Sequence, residues 1–179
     1  MKGIVFTEFL EMVEEKFGYT MVDNLLSTTE LPSEGVYTSV GTYQHTEMVS
    51  LVINLAKQTN IPINELLKVF GGYLFKTFTK TYSHFMAKAP DAFTFLASIH
   101  NYIHVEVQKL YPDAELPHFD IERPDDKTLV MTYSSARKMA DLAFGLIEGC
   151  VEYYKENVEI SQIPINEDGS ITKFVIIKK

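Results

Sequence analysis

The 179-residue chain has no tryptophan and a single cysteine, Cys150. One cysteine excludes an intrachain disulfide and every metal site built on several thiolates, and it points to a reducing, intracellular setting. Positive charge is also scarce: 16 Lys and Arg face 24 Asp and Glu, a formal net charge of −8. Nucleic acid is bound through Lys and Arg that neutralise phosphates, so this balance argues against DNA or RNA and equally against an anionic membrane surface. No apolar run approaches the ~20 residues that span a bilayer. The N-terminus, Met1-Lys2-Gly3-Ile4-Val5-Phe6-Thr7-Glu8, is interrupted by Glu8 and Glu11 and lacks the apolar core and cleavage site of a secretory signal. The expectation is a cytoplasmic protein with neither membrane nor nucleic acid among its partners. Repeats and low-complexity tracts are missing too, which excludes solenoids and arrays.

What the chain has is aromatic and aliphatic side chains. Twelve Phe and ten Tyr lie in a sequence that is 46% hydrophobic. Its length suits one domain over residues 1–179, with a core burying roughly 70% of the unfolded surface. Up to about Tyr111 the apolar residues recur at helical spacing. Phe6, Phe9, Leu10, Val13 and Phe17 form one stripe that Gly18 stops, and a short helix is expected over Met21–Ser27. Further helices are expected over Glu47–Thr59, Ile63–Lys80 and, opened by Pro90-Asp91, as far as Tyr111-Pro112. Beyond that, Leu116–Arg123 with Thr128–Ser134, and Val158–Ile165 with Ile171–Lys178, read as two hairpins around polar turns. A long helix over Ala136–Glu156 joins them. The predicted fold is α+β: a helical N-terminal lobe and a C-terminal antiparallel four-stranded sheet crossed by a long helix.

Chemistry concentrates at Tyr133-Ser134-Ser135-Ala136-Arg137. Tyr133, Ser135 and Arg137 stand at i, i+2 and i+4, which in an extended segment aims all three to one side. Two hydroxyls and a guanidinium suit a carboxylate or phosphate. That anion can equally be an Asp or Glu of this acidic chain. Of the five histidines, His100 and His104 share one helix at i, i+4. A helical wheel places His100 near the centre of the apolar stripe and His104 on its flank. Nothing nearby repeats a metal-ligand spacing, so no structural zinc is expected. Phe70-Gly71-Gly72-Tyr73 lies within a helical pattern and is weak as a phosphate loop.

Several landmarks then agree in order. They are the N-terminal Met1-Lys2-Gly3-Ile4-Val5, the segment His104-Val-Glu-Val-Gln-Lys-Leu-Tyr111-Pro112, Leu116-Pro117, the Tyr-x-Ser-x-Arg triad, and Lys138 to Gly149 after it. Together they resemble the haem–nitric oxide/oxygen binding family, H-NOX, along essentially the whole chain. The resemblance implies a sensor rather than an enzyme, with haem b (iron protoporphyrin IX) buried between the lobes. It implies His104 as the proximal iron ligand and Tyr133, Ser135 and Arg137 as the clamp on the propionates. Pro117 is implied to pack on the porphyrin. The resemblance also assigns the distal wall to Val5, Phe9, Leu74, Leu142 and Leu146, and Phe78, one turn after Leu74, joins it.

Oxygen-binding members carry a tyrosine at the position of Leu142. An apolar distal wall gives bound O2 no hydrogen-bond donor, whereas NO needs none. The expected ligand is therefore NO, with CO also able to bind, unless Tyr73 or Tyr43 reaches the pocket. The implied protein partner is a histidine kinase or a cyclic-di-GMP enzyme. Two rival readings are a haem-free helical interaction module and a small enzyme using His104 and Arg137 on an anionic substrate.

Overall fold

Phe6, Phe9, Met12 and Val13 bury one face of α1 (Gly3–Phe17). In the computed structural model, which describes residues 1–179, this helix stops at Gly18, whose φ of 86° suits glycine alone. Next come α2 (Tyr19–Thr28), α3 (His45–Thr59) and α4 (Ile63–Thr81). The turn-rich connection after α2 is tied down by Glu47 of α3. This buried carboxylate accepts from the Ser33 N–H at 3.3 Å, from the Ser33 hydroxyl and from the Tyr37 hydroxyl at 3.0 Å. A buried charge is tolerated when its hydrogen bonds are filled in this way.

A short helix, α5 (Ser83–Met86), follows α4 and was not expected from the sequence. Asp91 caps α6 (Ala92–Ser98) by accepting from the Thr94 N–H at 2.7 Å, and that bond lowers its carboxyl pKa. The continuous helix predicted up to Tyr111 is interrupted. Ile99–Ile103 forms a π-turn, in which the His104 N–H reaches back to the Ile99 carbonyl, and α7 (His104–Leu110) begins after it.

The second half contains β1 (His118–Asp125), β2 (Thr128–Ser134), α8 (Ala140–Tyr154), β3 (Val158–Pro164) and β4 (Ile171–Lys178). The four strands are antiparallel in the order β1-β2-β4-β3. Leu129, Met131 and Tyr133 of β2 and Phe174 and Ile176 of β4 alternate into the core. There they meet Ala143, Ile147 and Cys150 of α8. The predicted α+β architecture is what the chain adopts. Helix α8 starts later than the expected Ala136, because Ser135–Met139 forms a turn in which Lys138 takes a left-handed φ of 55°. No helix is long and apolar enough to cross a membrane.

Two hydrophobic cores result. One joins α1, α3 and α4; the other lies between α6, α8 and the sheet, and Leu146 packs against both. They are joined where α4 crosses α8. A Cβ on Gly71 would stand 2.4 Å from the Leu142 carbonyl oxygen, and one on Gly145 only 2.0 Å from the Lys68 carbonyl oxygen. Gly71 of the double glycine is thus a helix-crossing element, and the segment is not a phosphate loop.

Gly145→Ala should destabilise the protein by about 3 kcal/mol, because backbone rather than a movable side chain blocks the methyl group. Gly72→Ala, whose Cβ meets nothing nearer than 3.9 Å, should be neutral or stabilising by up to ~1 kcal/mol. Urea denaturation of the two variants checks the contrast.

Candidate functional site

Between the two cores lies a cavity of about 290 Å³ with a predominantly hydrophobic wall. Its size is near the lower end of the ~300–1,000 Å³ range of small-molecule sites. Helices α1, α4, the π-turn, α7 and α8, the strands β1 and β2, and the connection Tyr111–Pro117 all contribute to it.

His104 lines this cavity; His100 does not. The wheel drawn through an unbroken helix favoured His100, and the π-turn explains the reversal. A turn closed i→i+5 holds one residue more than an α-turn, so the phase slips by ~100°. His100 instead stacks edge-on against His118 with ring centroids 4.1 Å apart. The Nδ1 atoms of both His100 and His104 are buried without a hydrogen-bond partner. Burial pushes the His104 pKa down from 6.5 to about 4, helped by the neighbouring His100, while the Pro117 backbone works in the opposite direction. At neutral pH His104 is therefore a neutral imidazole with one ring-nitrogen lone pair to offer. No group of three or more His, Cys, Asp or Glu is arranged to hold a metal ion. A metal at His104 would need most of its ligands from outside the chain, which is what a porphyrin provides.

The Tyr133, Ser135 and Arg137 side chains also line the cavity. The expected extended arrangement holds only for Tyr133, since β2 ends at Ser134 and the other two lie in the following turn. Both hydroxyls are oriented by the backbone. Tyr133 Oη accepts from the Met139 N–H at 3.1 Å and Ser135 Oγ from the Arg137 N–H at 3.2 Å. Each keeps its own O–H to donate elsewhere. Arg137 Nη2 donates to Glu115 Oε2 at 3.1 Å, so an internal carboxylate does sit on the guanidinium.

Val5, Leu74, Phe78, Leu142, Leu146 and Pro117 line the cavity as well. Phe9 does not, which corrects its expected place in the wall. It is fully buried one turn behind Val5, edge-on to Phe70 at 5.2 Å, inside the N-terminal core. Neither distant tyrosine lines the cavity: the Tyr73 hydroxyl donates to Glu15 at 2.9 Å, and the Tyr43 hydroxyl accepts from the Thr38 N–H at 2.8 Å. Tyr82 and Tyr111, which the sequence did not single out, do line it. So do Phe75, Phe95, Ile99 and Met131.

A haem-NO-binding family model matches residues 2–162. The unliganded Fe(II) H-NOX protein of K. algicida is 45% identical, with a TM-score of 0.96 over 100% of this chain and 97% of that one. An H-NOX of Shewanella woodyi in the Fe(II)CO ligation state is 42% identical, with a TM-score of 0.85 over 100% and 95%. An H-NOX protein of S. oneidensis in the Fe(II)NO ligation state is 29% identical, with a TM-score of 0.92 over 100% and 99%. None of the curated proteins compared with the chain matches it.

The depressed His104 pKa has a measurable consequence. As pH falls from 6.5 towards 4, the unfolded chain takes up a proton at this residue while the folded protein does not, so stability drops. The loss should approach about 3 kcal/mol. Urea denaturation of the haem-free protein across this range should show it, and His104→Asn should remove that part of the pH dependence.

Proposed function

The chain belongs to the haem-NO-binding family, the H-NOX proteins, and we propose that it is a sensor of nitric oxide that signals to a separate protein. As a member it is a haem-based gas-sensor domain and not an enzyme. The observation that carries the finer reading is the division of the cavity wall. A neutral, buried His104 and a hydroxyl–guanidinium cluster lie on a wall whose Val5, Leu74, Phe78, Leu142 and Leu146 side chains offer no hydrogen-bond donor.

In this reading residues 1–179 act as one cytoplasmic domain. His104 is the iron ligand, and Arg137, Tyr133 and Ser135 hold the two carboxylates of haem b by charge-assisted hydrogen bonds. Pro117 and the apolar side chains shape the slot. Ferrous haem, when bound, supplies the metal at which a gas ligand coordinates. The chain's own part is to present the donor-free Val5, Leu74, Phe78, Leu142 and Leu146 side chains at that position, while the Tyr82 and Tyr111 phenols line other parts of the cavity wall. O2 depends on a donor for stable binding and NO does not, so the Val5, Leu74, Phe78, Leu142 and Leu146 wall selects NO. The relatives solved in Fe(II)NO and Fe(II)CO states support carrying these ligands over. The family resemblance implies a histidine kinase or a cyclic-di-GMP enzyme as the protein partner to which the sensor state is passed.

Ferrous protein should shift its Soret band on addition of NO and CO and show no stable shift in air. Leu142→Tyr introduces a donor and should lengthen the life of an air-induced shift. A long-lived shift in air with the wild type would overturn NO selectivity. His104→Gly should lose the wild-type ferrous spectrum and regain it with added imidazole. An unchanged spectrum without imidazole would remove His104 from its role.

A further inference from the structure

The connection Tyr111–Pro117 runs across the edge of the cavity and carries two carboxylates in unlike settings. Asp113 is committed: it accepts from Lys2 Nζ at 3.4 Å and from Thr42 Oγ1 at 2.7 Å, tying the connection to the N-terminal lobe. Glu115 has one partner, Arg137 Nη2, at 3.1 Å. The two sides of that pair are unequal, because the Glu115 side chain is 85% exposed and that of Arg137 only 16%. An exposed carboxylate thus reaches inwards to a guanidinium held at the cavity wall. A second, polar hollow of about 380 Å³ opens at the same point, lined by Lys2, Thr42, His45 and Asp113 together with Glu115 and Arg137.

We propose that Glu115 is a built-in competitor for Arg137: it occupies the guanidinium until a carboxylate of the cavity ligand displaces it, and it thereby sets how tightly that ligand is retained. The inference rests on the haem reading above, in which Arg137 receives a propionate. Arg137 is the only fixed positive charge among Tyr133, Ser135 and Arg137, so a chain carboxylate and a ligand carboxylate contend for the same charge and for its Nη2 donor. Displacement costs little, because an exposed ion pair is weak and Glu115 already faces water. The polar hollow beside it gives the released side chain a hydrated place to go. Asp113 keeps the connection anchored while Glu115 moves, so the exchange needs one side chain and no rearrangement of the fold.

The test is the rate of haem transfer from the protein to excess apomyoglobin. Glu115→Gln keeps the size and removes the charge, and it should slow haem loss by about two- to fivefold, as expected for removal of one exposed competitor. The slowing should vanish in the Arg137→Ala background. It should also vanish when the protein is loaded with haem dimethyl ester, which has no free carboxylate. Equal rates for Glu115→Gln and wild type overturn the proposal. So does a slowing that persists in Arg137→Ala or with the diester, since Glu115 would then act through something other than carboxylate competition. If wild-type protein takes up no haem, the sensor reading itself fails, and this inference with it.

Discussion

The backbones of α4 and α8 touch at Gly71 and Gly145 with no side chain between them. That contact fixes the spacing of the two hydrophobic cores, and most of the candidate site depends on it. Leu74 lies one turn beyond Gly71, while Leu142 and Leu146 flank Gly145. These leucines form part of the cavity wall because the crossing holds their helices at one distance. Cores of this density resist continuous deformation, so a hollow between them persists only where the packing is fixed elsewhere. The glycines supply that fixed point.

The polar members of the site follow from the dryness of the wall. An imidazole surrounded by Ile99, Ile103 and Phe119 gains no solvation from charge and stays neutral. A phenol buried in the sheet must find partners, and Tyr133 does so by accepting the Met139 N–H just before α8 begins. The same bond steadies the turn that carries Ser135 and Arg137. If Tyr133 holds a haem carboxylate as proposed, recognition of that anion and initiation of a helix share one oxygen atom.

Much of this was legible in the sequence, and the parts that were not share a cause. Both hairpins could be read from alternation, since β2 and β4 bury every second residue. The helices of the N-terminal lobe followed from their stripes. The left-handed Lys138 escaped because nothing in the side chain of lysine announces that backbone state, so α8 was started too early. Nothing in the sequence marks Glu47 as buried, because its partners Ser33 and Tyr37 come from a loop that has no period. Phe9 was put in the wall by the family resemblance; in α1 the apolar face is wide enough to serve a cavity at Val5 and a core at Phe9. Tyr133, Ser135, Arg137 and His104, which line one cavity, were singled out by their order along the chain, whereas Glu115 could be paired with Arg137 only in three dimensions.

The π-turn at Ile99–Ile103 makes the aim of His104 a matter of arithmetic. Ile99 and Ile103 line the cavity by their side chains, but the aim of His104 depends on how many residues the turn holds. Losing one residue would close the turn as an ordinary α-turn and swing everything after it about the helix axis by ~100°. A one-codon deletion here would do what few missense changes could, turning a cavity-facing imidazole away without altering its chemistry.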